Sequence, residues 1–250
     1  MSDIIYWTLV NSHQAPLENP DGFLSLSELR KLSTLRFPKR HAEWLLGRWA
    51  AKSLVKSIPA CRQYSLNEIE IRNTPDGAPY IQLPGGTISP DCLSISHSGR
   101  LALCALAPGP AIRTGADLEN VEPRANAFVE DYLTLAEREL VNSCPVETRE
   151  TAITLVWSAK ESMLKALGVG LRWDTRQVEV RAITGLLPAN ESTGEWQKMQ
   201  ACDLQQESRH WEVWWQRRDS FVITLAGFAT KQADIRSALL VEKHIPGGMA

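Results

Sequence analysis

Two short stretches hold side chains suited to a reaction between highly charged partners. In Gly115-Ala-Asp-Leu-Glu119, an extended backbone with its period of two puts Asp117 and Glu119 on one face and Leu118 on the other. Carboxylates that converge repel each other and resist burial, so they need a cation, water or a shared proton. Alone, Asp-x-Glu also suits the wet face of an edge strand. In Trp157-Ser-Ala-Lys-Glu-Ser-Met-Leu-Lys165, Glu161 and Lys165 are one helical turn apart and share the rim of an apolar stripe. As an isolated pair they read as an ordinary surface ion pair. Lys160 falls on the stripe itself, in line with Ile153, where its ammonium needs an anionic partner or a route to solvent.

A third stretch, Ser94-Ile-Ser-His-Ser-Gly-Arg100, places Ser96 and His97 where a strand enters a turn. Hydroxyls, a histidine and turn amides suit a phosphate, although such a hairpin can also satisfy its own backbone. Arg30, Lys31, Arg36, Lys39, Arg40 and Arg48 are dense for so neutral a chain. They form either a local anion patch or a solvated helix face.

The elements that position these groups occur twice. Trp49-Ala-Ala-Lys52 is echoed by Trp157-Ser-Ala-Lys160, and each helical stretch is followed by a short alternating strand, Glu68 to Arg72 and Gln177 to Arg181. Each half then closes on a hairpin: Leu93–His97 into Leu101–Leu106, and Trp211–Gln216 into Phe221–Gly227. Apolar residues from Ile153 through Leu167 predict a helix stopped by Gly168, and Thr134-Leu-Ala-Glu137 has the spacing of a capping box opening an earlier one. Residues 185–208 read as a long irregular loop. The pattern predicts an α+β fold of two pseudo-symmetric halves, 1–108 and 109–250, joined near Pro108-Gly-Pro110. Each half lays a long helix on a mostly antiparallel sheet, with the active site expected in the cleft between them.

Composition bounds the function. A chain of 250 residues, 44% hydrophobic, buries a core as one large domain or two modest ones. With Lys+Arg 27 against Asp+Glu 29 there is no global basic field, so no nucleic-acid partner is expected and any anion site is local. The five cysteines are odd in number and unpaired in motif, which argues for a reducing, cytoplasmic setting. No leader or membrane span is expected. The nine tryptophans are scattered and read as core.

Taken together, these stretches resemble phosphopantetheinyl transferases of the larger, Sfp-type class. The resemblance runs through Phe37-Pro-Lys-Arg-His-Ala-Glu-Trp-Leu-Leu-Gly-Arg48, Gly77-Ala-Pro79, Ile95-Ser-His-Ser-Gly99, Gly115-Ala-Asp-Leu-Glu119 and Trp157-Ser-Ala-Lys-Glu-Ser with Lys165 and Gly168. It implies two pseudo-symmetric halves in a monomer, with Asp117, Glu119 and Glu161 binding Mg²⁺. By the same resemblance Lys160 and Lys165 stabilise phosphate charge, and Glu161 is a candidate general base. Ser96 and His97 are implied contacts to coenzyme A phosphates. Arg36, Lys39, Arg40 and Arg48 are candidates for its adenine and 3'-phosphate end.

The implied reaction moves 4'-phosphopantetheine from coenzyme A to a serine of an apo carrier protein, releasing adenosine 3',5'-bisphosphate. Carriers of this kind are acidic, so a locally basic and partly apolar docking surface is expected, with the segment Leu167 to Trp173, including Arg172, implied by the family. Ala78 and Ala116 depart from the family pattern, the first at a position where lysine often touches phosphate. Two alternatives remain: another Mg²⁺-dependent phosphoryl or nucleotidyl transferase, for which no P-loop is present, and a catalytically silent module that binds coenzyme A or a carrier.

Overall fold

The computed structural model describes residues 4–186, 195–230 and 238–244. The fold is α+β. It divides into two compact units, one running to Pro110 and taking in the C-terminal strand, the other beginning at Ala111.

The first unit contains β1 (Ile4–Asn11), α1 (Leu26–Leu32), α2 (Pro38–Ser57), β2 (Glu70–Asn73), β3 (Pro79–Gln82), β4 (Cys92–Ser98) and β5 (Leu101–Ala107). The second contains β6 (Ile112–Asn120), α3 (Asn126–Tyr132), α4 (Leu135–Ser143), α5 (Val146–Leu167), β7 (Val178–Ile183), β8 (Gln197–Asp203), β9 (Trp211–Arg218) and β10 (Phe221–Ala229). The last strand, β11 (Leu239–Glu242), returns to the first unit and pairs parallel with β1. Its sheet has the order β11-β1-β5-β4, and the second unit's five-stranded antiparallel sheet runs β6-β10-β9-β8-β7. Both expected hairpins form, as β4–β5 and β9–β10. By its parallel pairing with β1, β11 belongs to the first unit.

Local sequence explains the ends of the long helices. Pro38 opens α2 at a position whose missing N–H costs nothing. Gly168 closes α5 with φ 76, a left-handed cap that an L side chain adopts only under strain. Apolar periodicity placed the start of α5 near Ile153, but the helix begins at Val146 because its first turns bury Thr148, Thr151 and Ala152 rather than large apolar side chains and so carry no apolar stripe. The segment read as an irregular loop contains β8, whose polar outward residues masked a strand that pairs with β7 and β9.

Beneath the repeat lies a duplicated buried lock. In the first unit, Ser25 and Glu28 form the capping box of α1, Glu28 Oε1 accepts from the Ile71 amide at 3.0 Å, and the Lys52 ammonium of α2 binds Glu28 Oε2. In the second, Thr134 and Glu137 cap α4, Glu137 Oε1 accepts from the Val180 amide at 2.9 Å, and the Lys160 ammonium of α5 binds Glu137 Oε2. Lys52 and Lys160 are both wholly buried. Each lock pins one long helix to a short capped helix and to a sheet strand. Removing one partner of such a pair strands a buried charge and costs about 3–5 kcal/mol.

The close approach of α5 to β6 depends on Gly115. A Cβ there would sit 1.9 Å from the Ser162 carbonyl oxygen and 2.7 Å from the Ala166 amide nitrogen. Only a residue without a side chain lets the strand carrying Asp117 and Glu119 lie directly on the helix carrying Glu161.

Candidate functional site

The second unit gathers the acidic residues. Asp117 and Glu119, two apart on β6, face α5. Ser158 donates to Asp117 Oδ2 at 2.9 Å and the Lys165 ammonium to Oδ1 at 2.6 Å. Lys165 also lies 3.5 Å from Glu161 Oε2, the expected pair one helical turn apart. Trp157 Nε1 donates to Glu119 Oε1 at 3.1 Å, and Arg124 Nη2 to Glu119 Oε2 at 3.0 Å. The strand and helix motifs thus meet, as their shared chemistry required.

The electrostatics record the crowding. Burial pushes the Glu119 carboxyl above its ordinary value and the charge of Asp117 pushes it further, against the pull of Trp157 and Arg124. Burial likewise raises Glu161; Lys165 pulls it back while Asp117 and Glu119 raise it. For Lys165, burial disfavours the charge, but Asp117 and Glu161 outweigh it and hold the ammonium more firmly protonated than usual. Three carboxylates here face two cations, Lys165 and Arg124.

Three hard oxygen donors with excess negative charge are the donor set a divalent cation such as Mg²⁺ selects, so these residues fit one in kind and charge. Each is turned toward an internal partner. Among the described residues no three His, Cys, Asp or Glu side chains are arranged to hold an ion.

Lys160 does not join this group. It points to the opposite side of the helix, fully buried against Glu137. The anionic partner that its place on the apolar stripe demanded is a carboxylate of the protein itself. Its assignment to phosphate charge is therefore corrected: Lys160 is a structural cation.

In the first unit a cleft of about 630 Å³ is lined by Lys31, Arg40, Trp44, Arg48, Asn73 and His97, among others. Arg48 is fixed there, donating to Asn73 Oδ1 at 2.9 Å, stacking 4.7 Å over the Trp44 ring and lying 3.8 Å from Glu28. Burial lowers its proton affinity and Glu28 offsets this. His97, Arg40 and Arg48 were anticipated at such a site. Arg36 and Lys39, both exposed at the start of α2, lie outside the lining. Ser96 is corrected on geometry: it neighbours His97 on β4 and so faces the other side of the sheet, where it is buried.

Sequence reasoning missed Arg124, Trp44 and Asn73 as site residues, and also the roles of Trp157 and Ser158. For the last two a signal existed, since both stand inside the Trp-Ser-x-Lys-Glu stretch as polar groups on a helix meeting a carboxylate strand.

Residues 113–226 match the family model described as the 4'-phosphopantetheinyl transferase superfamily. That match spans both the carboxylate strand and the helix facing it. Over these residues the chain is similar to this superfamily. It is similar to 4'-phosphopantetheinyl transferase HetI of Nostoc sp., with 26% identity over 199 residues, 77% of this chain and 80% of that protein. Among solved structures, a holo-(acyl-carrier-protein) synthase of Bacillus anthracis in complex with CoA (3',5'-ADP) shares 24% identity at a TM-score of 0.37, covering 43% of this chain and 96% of that one. The holo-[acyl-carrier-protein] synthase of Thermotoga maritima shares 17% at a TM-score of 0.35, covering 54% and 76%. Within the matched residues the aromatic rings of Phe128, Tyr132 and Trp157 pack against one another beside Glu119. Beyond α5, Leu171 and Trp173 are exposed hydrophobics.

Proposed function

We propose that this chain transfers the 4'-phosphopantetheine moiety of coenzyme A to a serine of an acidic apo carrier protein, leaving adenosine 3',5'-bisphosphate, with Mg²⁺ as its metal. The observation that carries the reading is the meeting of Asp117 and Glu119 on β6 with Glu161 and Lys165 on α5. Asp117, Glu119 and Glu161 would hold the metal, which when bound supplies charge neutralisation for the diphosphate.

The chain's own residues do the rest. The serine hydroxyl attacks the phosphorus bearing the pantetheine arm, and the bond from that phosphorus to the bridging oxygen breaks with the bisphosphate leaving. Lys165, held charged by its carboxylate neighbours, balances negative charge as it shifts to the leaving oxygen. Glu161 is the candidate acceptor of the hydroxyl proton, directly or through a water. The first unit's cleft, with Arg40, Arg48 and His97 on its walls, suits the adenosine and 3'-phosphate. Leu171, Arg172 and Trp173, exposed past the end of α5, supply the apolar and basic character an acidic carrier needs. The carboxylates and Lys165 standing together favour an enzyme over a silent binding module.

Incubation with coenzyme A, Mg²⁺ and a panel of apo carriers from fatty-acid, polyketide and peptide-synthesising systems is expected to add about 340 Da to at least one, the mass of the arm moved in such a transfer. Intact-mass spectra without that shift across the panel overturn the transferase reading.

A further inference from the structure

Arg124 belongs to neither motif, yet it touches the acidic group. Its Nη2 donates to Glu119 Oε2 at 3.0 Å, its Nη1 lies 3.5 Å from Glu122 Oε1, and the guanidinium stacks 5.1 Å over the Phe128 ring. Phe128 packs edge-on to Trp157, whose Nε1 holds the other oxygen of Glu119. Glu119 is thus occupied at both oxygens by internal donors. The Nε of Arg124, by contrast, is buried with no hydrogen-bond partner among the described residues. A buried donor left unmade is costly and gains by meeting an acceptor, and the guanidinium fork matches phosphate oxygens in a way a lysine does not.

We propose that Arg124 is a substrate-binding residue: it neutralises Glu119 in the empty protein and, when Glu119 turns to a divalent cation, grips the diphosphate of the incoming coenzyme. The inference rests on the transferase reading above. The structure motivates the exchange, because a divalent cation at this oxygen of Glu119 would set its charge against the Arg124 guanidinium and repel it. Once displaced, the guanidinium needs a new anion, and a diphosphate arriving at the same carboxylates supplies one. Arg124 therefore competes with the metal and cooperates with the coenzyme, two effects of opposite sign.

That opposition is the test. Mn²⁺ binding to the apo protein, followed by the paramagnetic resonance of the free ion, is expected to tighten a few-fold in Arg124→Gln, since a competing cation is gone. Coenzyme A binding in the presence of metal, by calorimetry, is expected to weaken about tenfold or more, the effect of losing a hydrogen bond to a charged group. Dephospho-coenzyme A, which keeps the diphosphate and lacks the 3'-phosphate, is expected to lose as much. Arg124→Lys, which keeps the charge without the fork, should show the same signs at smaller size and stands in should the glutamine variant fail to fold.

Weaker Mn²⁺ binding with unchanged coenzyme affinity would assign Arg124 to holding Glu119 alone and overturn the proposal. A loss seen with coenzyme A but not with its dephospho form would place Arg124 at the 3'-phosphate and overturn it as well. Wild-type protein that transfers normally while the variants bind coenzyme unchanged defeats this inference only. Wild-type protein that neither binds coenzyme A nor modifies a carrier defeats the transferase reading and this inference together.

Discussion

Glu161 shows how one side chain balances stability against use. Its proton affinity in the folded chain is raised by burial first, then by Asp117 and Glu119, with Lys165 opposing. A carboxyl whose folded pKa lies above its unfolded value contributes stability that is present below the unfolded value and lost as pH rises through the folded one. In the metal-free protein the ionised form is therefore a burden at neutral pH. Glu161→Gln removes that burden, so without metal the variant is expected to melt above wild type at pH 7, with the difference closing as pH falls below the ordinary glutamate value of 4.5. Thermal unfolding across pH in the presence of a chelator checks this, and a variant that melts lower at pH 7 would contradict the like-charge account. Glu161 itself was legible in the sequence, through its spacing from Lys165. Its raised proton affinity was not, because that depends on residues more than forty positions away in the chain.

At the scale of elements, the site exists because α5 lies flush on β6. The contact is set by the bare backbone of Gly115 against the Ser162 carbonyl. Gly115→Ala would force the helix and strand apart, at a cost of about 1–3 kcal/mol or more as for overpacked cores. Transfer is expected to fall with it, since Glu161 would be drawn away from Asp117 and Glu119. Chemical denaturation reads the stability, and a loss below about 0.5 kcal/mol would show that the packing yields easily. The capping box at Thr134 and the left-handed stop at Gly168 were readable because both are local rules. The partner of Lys160 was not. Only folding shows that the capping glutamate of α4 also receives the buried ammonium of α5, and that Ser25, Glu28 and Lys52 repeat the arrangement in the first unit.

For the molecule as a whole, the chain's return to its first sheet matters most. After the second unit, β11 pairs parallel with β1, and Lys243 extends the pairing through its amide to the Trp7 carbonyl at 2.8 Å and its carbonyl to the Thr8 hydroxyl at 2.7 Å. Removing everything after residue 237 would leave β1 an open edge. The melting temperature is expected to drop by about 4 °C or more, on the scale of one to two kcal/mol for a domain of this size. Unchanged melting would show that β11 adds nothing to the sheet. The sequence by itself determined the chemistry: two carboxylates on one strand face, a glutamate and a lysine on one helix turn, and a doubled order of elements, all of which follow from backbone periods of two and 3.6. Tertiary structure alone decided which charges meet. It sent Lys160 inward to Glu137, turned Ser96 away from His97 and brought Arg124 to Glu119, because electrostatic partnership acts through space and the chain's periodicities carry no record of it.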